Sequence, residues 1–306
     1  MVVSLPQGVR SLTVDLGGPT HYYDYGGPPG APAIVAVHGL GGAGWNWAAV
    51  APLLTEHYRL LAIDLAGHGR TPAGSRSTTV RANRRLLNQF IREIVGEPVV
   101  LMGNSMGGAI SLLQAAAAPD TVQALVLVDP ALPRPLLSPI DPLVAASFAL
   151  MSLPGLGEAA VRRRRRSGPE QQVRETLALC CVDSSRIAPE VVALGIALAE
   201  ERASYQYAAR DFVDAARSLV HVLALSRRFR DTMRRVQAPV LLLHGDCDRL
   251  VPVRAAIEIA AANPRWRLEI ARGIGHVPQL EAPDWTASVV TDWLVSLHSA
   301  ASSSAR

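Results

Sequence analysis

Lysine is missing from this chain. All 30 cationic side chains are arginine, against 26 carboxylates, and the formal net charge is +4. With abundant Ala, Gly and Pro, that skew reads as the bias of a GC-rich genome, not as a functional device. Aromatic residues make up only 5% of the chain. No basic stripe is interleaved with them, so nothing supports nucleic-acid binding. Cysteine is scarcer still. Cys180, Cys181 and Cys247 form neither a disulfide framework nor a metal-ligand spacing, which points to a reduced, cytoplasmic setting. No apolar run approaches the ~20 residues of a membrane span. The first residues show no basic region leading into an apolar segment, so no secretory leader is expected. What is present is a chain of 306 residues, 49% hydrophobic. That is enough for a sizeable core, as one large domain with an insertion or as two ordinary ones.

The most informative stretch runs from Pro98 to Ile110. An unbroken β-branched and apolar run ends in Gly103-Asn104-Ser105-Met106-Gly107, and Gly108 opens an Ala-rich helical pattern that Pro119 stops. Ser105 therefore sits on a tight strand-to-helix turn. Such a turn strains the backbone of its central residue and needs small residues two before and two after it. Gly103 and Gly107 meet that need, and Gly108 lets the helix lie close to the sheet. This is a nucleophile elbow, and it resembles the α/β-hydrolase superfamily.

The rest of the chain fits that resemblance. Ser11–Asp15 and His21–Tyr25 alternate as an opening antiparallel hairpin. Ala33–Val37 reads as a buried strand running into His38-Gly39-Leu40-Gly41-Gly42, and Trp45–Leu54 as a helix. The resemblance assigns that loop one oxyanion-hole amide, Leu40, and gives the other to Met106 after the nucleophile. His38 reads as structural, and Trp45 and Trp47 as packing residues, Trp45 with the alternative of lining a pocket. Tyr58–Leu65 is the next strand. Its Asp64-x-x-Gly67-His68-Gly69 turn, common in the superfamily, reads as structural. Thr79–Val95 has amphipathic helical spacing, and Ala124–Asp129 is a further strand.

After Asp129 the strand–helix rhythm stops and resumes only at Ala238–Leu243. Residues 131–238, opening with Pro133 and Pro135 among leucines, read as an inserted helical lid. They hold sixteen Arg against eleven acids, a net +5, while the remainder holds fourteen against fifteen. Leu143–Val161 is largely apolar, suited to packing on the core, lining an acyl pocket or meeting lipid. Arg162–Arg166 reads first as a solvated face, with contact to an anionic membrane surface as the sharper alternative. The implied organisation is an α/β fold with a mostly parallel central sheet flanked by helices. Residues 1–130 form the first part of the core, 131–238 the lid, 239–298 the second part and 299–306 a frayed tail.

Two further loops complete the resemblance. His244–Pro252 follows the resumed strand, and Asp248 matches the position of the superfamily's triad acid, with Asp246 and Asp129 as weaker candidates. His276, in Gly275-His276-Val277-Pro278 after the strand Trp266–Ile270, matches the catalytic His. The order Ser105, Asp248, His276 is the superfamily's order, and Asp284–Leu297 reads as the closing helix. The implied chemistry is a serine hydrolase that cleaves a carboxylic ester of an apolar small molecule or lipid through an acyl-enzyme, with no cofactor and no metal. The elbow is also very like that of carbon–carbon hydrolases of meta-cleavage products. That family has a Gly-Gly-Pro-Gly type loop and a Trp after the His, where this chain has Gly39-Leu40-Gly41-Gly42 and Val277. The same fold and triad are also compatible with haloperoxidase-like or acyltransferase chemistry, and the fold alone with a non-catalytic binding module. Ser at position 105 excludes epoxide hydrolases and dehalogenases, which need a carboxylate nucleophile.

Overall fold

The computed structural model describes residues 5, 8–133, 142–153 and 155–304. Eight strands form one sheet in the order β1-β2-β4-β3-β5-β6-β7-β8. They are β1 (Arg10–Asp15), β2 (Pro19–Gly26), β3 (Ala33–Val37), β4 (Arg59–Ile63), β5 (Val99–Asn104), β6 (Val122–Val128), β7 (Val240–Gly245) and β8 (Arg267–Ala271). The opening hairpin pairs antiparallel, and β2 pairs antiparallel with β4, while every pair from β4 to β8 is parallel. Parallel strands covered on both faces need apolar side chains on both sides. In β3 all five residues are buried.

Those side chains alternate between two cores. Val35 and Val37 join Leu101, Ile110, Leu87, Phe90, Leu242 and Ile259 on one face. Ile34 and Ala36 join Trp47, Leu54, Val100, Leu241, Trp293 and Leu294 on the other. The first face is covered by α2 (Val80–Phe90), α3 (Met106–Ala117) and α10 (Val253–Ala262). The second is covered by α1 (Ala51–Leu54) and the closing α12 (Pro283–Ser304).

Between β6 and β7 the described residues carry six α-helices, a 3-10 turn at Ser184–Arg186 and no strand. The α-helices are α4 (Pro142–Ser152), α5 (Leu156–Arg165), α6 (Pro169–Cys180), α7 (Pro189–Arg202), α8 (Ala208–Ala224) and α9 (Ser226–Arg234). The fold is thus α/β with a helical insertion. The segment around Pro135 and the side chain of Leu143 lie outside the described residues.

Two local expectations need correcting. Trp45–Leu54 is not one helix. A 3-10 turn at Gly44–Trp47 is followed by the separate α1. Pro52 has no N–H to give the Ala48 carbonyl, so the helix restarts with the proline in its first turn. The closing helix also continues through Ser299 to Ser304, where a frayed tail was expected. Ala and Ser keep enough helix propensity to extend a helix already nucleated by a packed face.

Topology fixes where a site can form. The chain moves from β3 to β4 on one side, then crosses back to place β5 on the other side of β3. A sheet with such a reversal leaves a crevice outside the carboxyl ends of its two central strands. Here the crevice opens between the loop after β3, which holds Gly39 and Leu40, and the elbow after β5, which holds Ser105. The two are in contact: a Cβ added at Gly39 would lie 3.1 Å from Ser105 Cβ. Gly107 shows how closely α3 approaches the sheet. A Cβ there would meet the carbonyl oxygens of Val37 at 2.2 Å and His38 at 2.6 Å. Those are backbone atoms and cannot swing aside. Gly107→Ala is therefore expected to destabilise the protein by about 3 kcal/mol, the upper part of the overpacking range. Urea unfolding checks this as a lower midpoint at unchanged m-value.

Candidate active site

Ser105 has φ 54° and ψ −118°. A side chain in that region costs roughly 1–3 kcal/mol and persists only where its surroundings hold it. Here the backbone is held at both ends. Ser105 N–H donates to Val128 C=O at 3.1 Å, and its own C=O accepts from Ala109 at 3.1 Å and Ala131 at 2.9 Å. Ser105 is partly exposed while its neighbours are buried. Met106 begins α3, so its N–H has no partner within the helix. The Gly39–Leu40 loop packs against Ser105 on the side of the elbow.

On the other side of the crevice, His276 Nδ1 donates to Asp248 Oδ2 at 2.7 Å. Both residues are buried. Asp248 Oδ1 accepts from Leu250 N–H at 2.7 Å and Val251 N–H at 3.0 Å, so the carboxylate cannot turn. Burial alone would raise the Asp248 carboxyl. The adjacent His276 and His244 and the Val251 N–H outweigh that effect and hold it below its ordinary value. Asp129 behaves oppositely. Complete burial, and then the charge of Asp248, push its carboxyl well above the usual range. Asp246 is half-buried and caps the Gly273 N–H at 2.7 Å, which leaves Asp248 as the acid bonded to His276. Asp129, Asp248 and His276 bring potential ligand atoms within 4.8 Å of one another, but the short Asp248–His276 bond makes this a hydrogen-bonded unit.

The elbow and the histidine loop are tied together by a residue that no sequence motif singles out for that task. Asn104 Nδ2 donates both to Val128 C=O at 3.0 Å and to the backbone carbonyl of His276 at 3.1 Å. A strained serine on an elbow, joined through Asn104 to a loop whose imidazole is oriented by a carboxylate, is an arrangement suited to acyl transfer. The family profile described as alpha/beta hydrolase fold matches residues 32–283. The chain belongs to the α/β hydrolase fold family.

Relatives within the α/β hydrolase fold family span two chemistries. A 2-hydroxy-6-oxononadienedioate/2-hydroxy-6-oxononatrienedioate hydrolase from Dechloromonas aromatica (strain RCB) is 29% identical over 298 residues, 94% of each chain. Monoacylglycerol lipase ABHD6 from Homo sapiens is 25% identical over 284 residues, 90% of this chain and 79% of the relative. Among solved structures, a membrane phospholipase A described as a bacterial virulence factor superposes with a TM-score of 0.68. Its sequence identity is 26%, over 95% of this chain and 87% of that one.

In this α/β hydrolase the insertion is fastened directly to the histidine loop. His276 N–H donates to Cys180 C=O at 2.6 Å, at the end of α6. Glu281, buried in the short α11 (Pro278–Glu281), accepts from three backbone amides. Its Oε1 takes Val182 N–H at 3.0 Å and Asp183 N–H at 2.8 Å from the insertion, and its Oε2 takes Gly275 N–H at 2.8 Å, next to His276. From sequence alone, Glu281 is only part of the segment that follows His276.

The remaining motif residues have structural partners. His38 Nδ1 donates to Gly39 C=O at 2.7 Å and its Nε2 accepts from Leu65 N–H at 3.0 Å, so it is a neutral buried imidazole. Burial pushes His68 down to about 3. Trp47 lies in the core, and Trp45 packs on Gly195 of α7. Within the arginine run, Arg164 donates to Thr176 Oγ1 at 2.8 Å and Arg165 to the carbonyls of Arg202 and Tyr205. Arg162, Arg163 and Arg166 face solvent. A groove of about 1120 Å³ follows the seam between residues 67–79 and α8, lined by Arg76, Arg202 and Asp211 among others. Two of its arginines are engaged by backbone carbonyls. Arg76 donates to Gly18, Pro19 and Pro72 carbonyls, and Arg202 to Gly67 and Gly69 carbonyls.

The structure also holds a second Ser–His–Asp chain that no motif announces. Ser11 Oγ lies 2.7 Å from His21 Nε2, and His21 Nδ1 lies 2.7 Å from Asp64 Oδ2. It lacks the other half of the chemistry. Ser11 lies within an edge strand, with no elbow and no helix N-terminus beside it. Asp64 also accepts from Gly44 N–H at 2.6 Å and Arg70 N–H at 2.8 Å. This network knots the turn after β4 to the hairpin.

Proposed function

We propose that this protein is a serine hydrolase that cleaves carboxylic esters of apolar small molecules or lipids. The observation that carries the reading is the strained, backbone-locked Ser105 at the switch point of a sheet whose neighbouring loop holds a bonded His276–Asp248 pair. Ser105 Oγ attacks the ester carbonyl carbon and its proton passes to His276. The oxyanion so formed faces the Leu40 and Met106 N–H groups, each worth about 10²–10³-fold in such holes. Collapse breaks the acyl C–O bond, and the departing alkoxide takes the proton from His276. Water then repeats the sequence on the acyl-enzyme and releases the acid. Asp248 keeps the imidazole in the productive tautomer and stabilises its cation.

The helical insertion acts as a lid in this reading. Leu150, Leu153 and Leu156 stand exposed on the α4–α5 hairpin, a few residues from the exposed Arg162, Arg163 and Arg166. That juxtaposition suits apolar substrates or a lipid surface, in keeping with the lipase and phospholipase names among the relatives. Three free thiols keep a cytoplasmic setting part of the reading.

A second reading, carbon–carbon bond cleavage, is favoured by the 29% identity to the D. aromatica hydrolase. The Gly39-Leu40-Gly41-Gly42 loop and Val277 favour the ester. p-Nitrophenyl esters of increasing chain length, run beside a vinylogous diketo acid, separate the two. The ester reading expects kcat/KM to rise with acyl length, and turnover of the diketo acid alone would replace it. A fluorophosphonate should label Ser105. Labelling that maps to Ser11, or none in folded protein, would overturn the assignment.

A further inference from the structure

Asp129 directly follows β6 with φ 42°, the one positive value besides Ser105 among the described non-glycine residues. Its backbone and one carboxyl oxygen are fixed to the neighbouring strand. Its N–H donates to Leu243 C=O at 2.9 Å, and Oδ1 accepts from Gly245 N–H at 2.9 Å. Oδ2 is buried and receives no donor. The groups that face Asp129 come from five directions. They are Asp248 after β7, His244 on β7, His276 after β8, Glu281 on α11 and Cys180 at the end of α6. None brings a proton to it. His244 donates its Nε2 proton to Val251 C=O at 2.8 Å, so its 3.6 Å approach to Asp129 carries none. The His276 Nδ1 proton points at Asp248. An ionised Asp129 would be a second anion beside Asp248, fully buried and with a single donor, an arrangement that like charges disfavour strongly.

We propose that Asp129 is a positioning residue that carries a proton in the resting enzyme and donates its Oδ2–H to the Asp248 carboxylate. Two carboxyl groups then share one negative charge. Asp248 is held by two backbone amides, an imidazole N–H and a carboxylic acid, and an acceptor surrounded by donors cannot rotate away from His276. The strained backbone of Asp129 is the means of aiming that fourth donor. Burial and the Asp248 charge, which keep the Asp129 carboxyl protonated, are the electrostatic counterpart of this geometry. The inference rests on reading Asp248 as the triad acid, and it concerns a proton that can be observed without turnover.

The test compares wild type, Asp129→Asn and Asp129→Leu in the full chain. Infrared difference spectroscopy at neutral pH should show a protonated-carboxyl C=O stretch in wild type that is lost in Asp129→Asn. Asn still offers a neutral donor to Asp248 and an acceptor to Gly245, so its kcat/KM on a p-nitrophenyl ester should stay within about fivefold of wild type. Leu offers neither. Its kcat should fall by about 10–100-fold at unchanged KM, and the acid limb of kcat/KM should move to higher pH, because a more electron-rich Asp248 holds the imidazole proton more firmly. Absence of the protonated-carboxyl band overturns the proposal. So does an Asp129→Asn variant as impaired as Asp248→Asn, which would make Asp129 an ionised partner. If no ester is turned over, the band alone decides. If Asp129→Leu fails to melt cooperatively, the Asn variant and the band still do.

Discussion

Replacing Ser105 with alanine is expected to lower ester turnover by about 10⁶-fold while leaving the melting temperature near that of the parent. The first half follows from removing the nucleophile, because the remaining amides and His276 retain only the catalysis due to binding and polarisation. The second half follows from what holds the turn. The bonds to Val128, Ala109 and Ala131 are all made by the Ser105 backbone, and its side chain does not cap α3. Ser105→Gly goes further. It relieves a conformation that costs a side chain roughly 1–3 kcal/mol, less about 0.5–1 kcal/mol for the freedom glycine gains on unfolding. The glycine variant should therefore be inactive and more stable than wild type by about 1 kcal/mol, a gain of about 2 °C in a chain this long. Calorimetry and a p-nitrophenyl ester assay check both. Residual activity within tenfold of wild type would remove Ser105 from the mechanism.

Asp248→Asn is expected to lower kcat by about 10⁴-fold with little effect on KM. The geometry says why. Leu250 and Val251 N–H groups grip one oxygen of residue 248, so an asparagine there must give them its carbonyl and turn its amide toward His276. The amide would donate to Nδ1 and force the imidazole proton onto Nε2, where it blocks acceptance of the Ser105 proton. Asp248 is held below its ordinary value in the parent, so the carboxylate is present throughout the neutral range. An alkaline shift of the activity optimum alone does not account for such a loss. Should Asp129→Asn be the crippled variant and Asp248→Asn the active one, the acid's role moves to Asp129. The steady-state parameters of the two variants decide it.

Much of this site is legible in the sequence because its chemistry demands particular residue types. Only glycine fits at 107, where the helix rides on the carbonyls of Val37 and His38. Only a hydroxyl, a carboxylate and an imidazole can fill 105, 248 and 276 in the roles proposed. What stayed hidden works through the backbone or over long separations. Any residue at 180 supplies the carbonyl that His276 N–H takes, so no side chain signals that contact. Glu281 bonds to residues 98 and 99 positions earlier, across an insertion whose docking no local pattern encodes. Asn104 stands inside the elbow motif, but its partner is the carbonyl of His276. The split of Trp45–Leu54 is available in principle, because Pro52 forbids the hydrogen bond that would join the halves.

Glu281 also sets what it would cost to part the insertion from the core. Its side chain has no exposed surface and joins the insertion to the histidine loop through three amides. Pulling that end of the insertion away would strand a buried carboxylate, a cost of about 3–5 kcal/mol. Arg202 and Thr78 pin α7 and α8 in the same way, to the 67–69 turn and across to Asp211. The bonds that Arg164 and Arg165 make from α5 run to other helices of the insertion and leave the core untouched. Glu158 of α5 in turn pairs with Arg217 of α8 at 3.3 Å, so the insertion is held as one unit and any separation from the core costs most at the α6 end, beside His276.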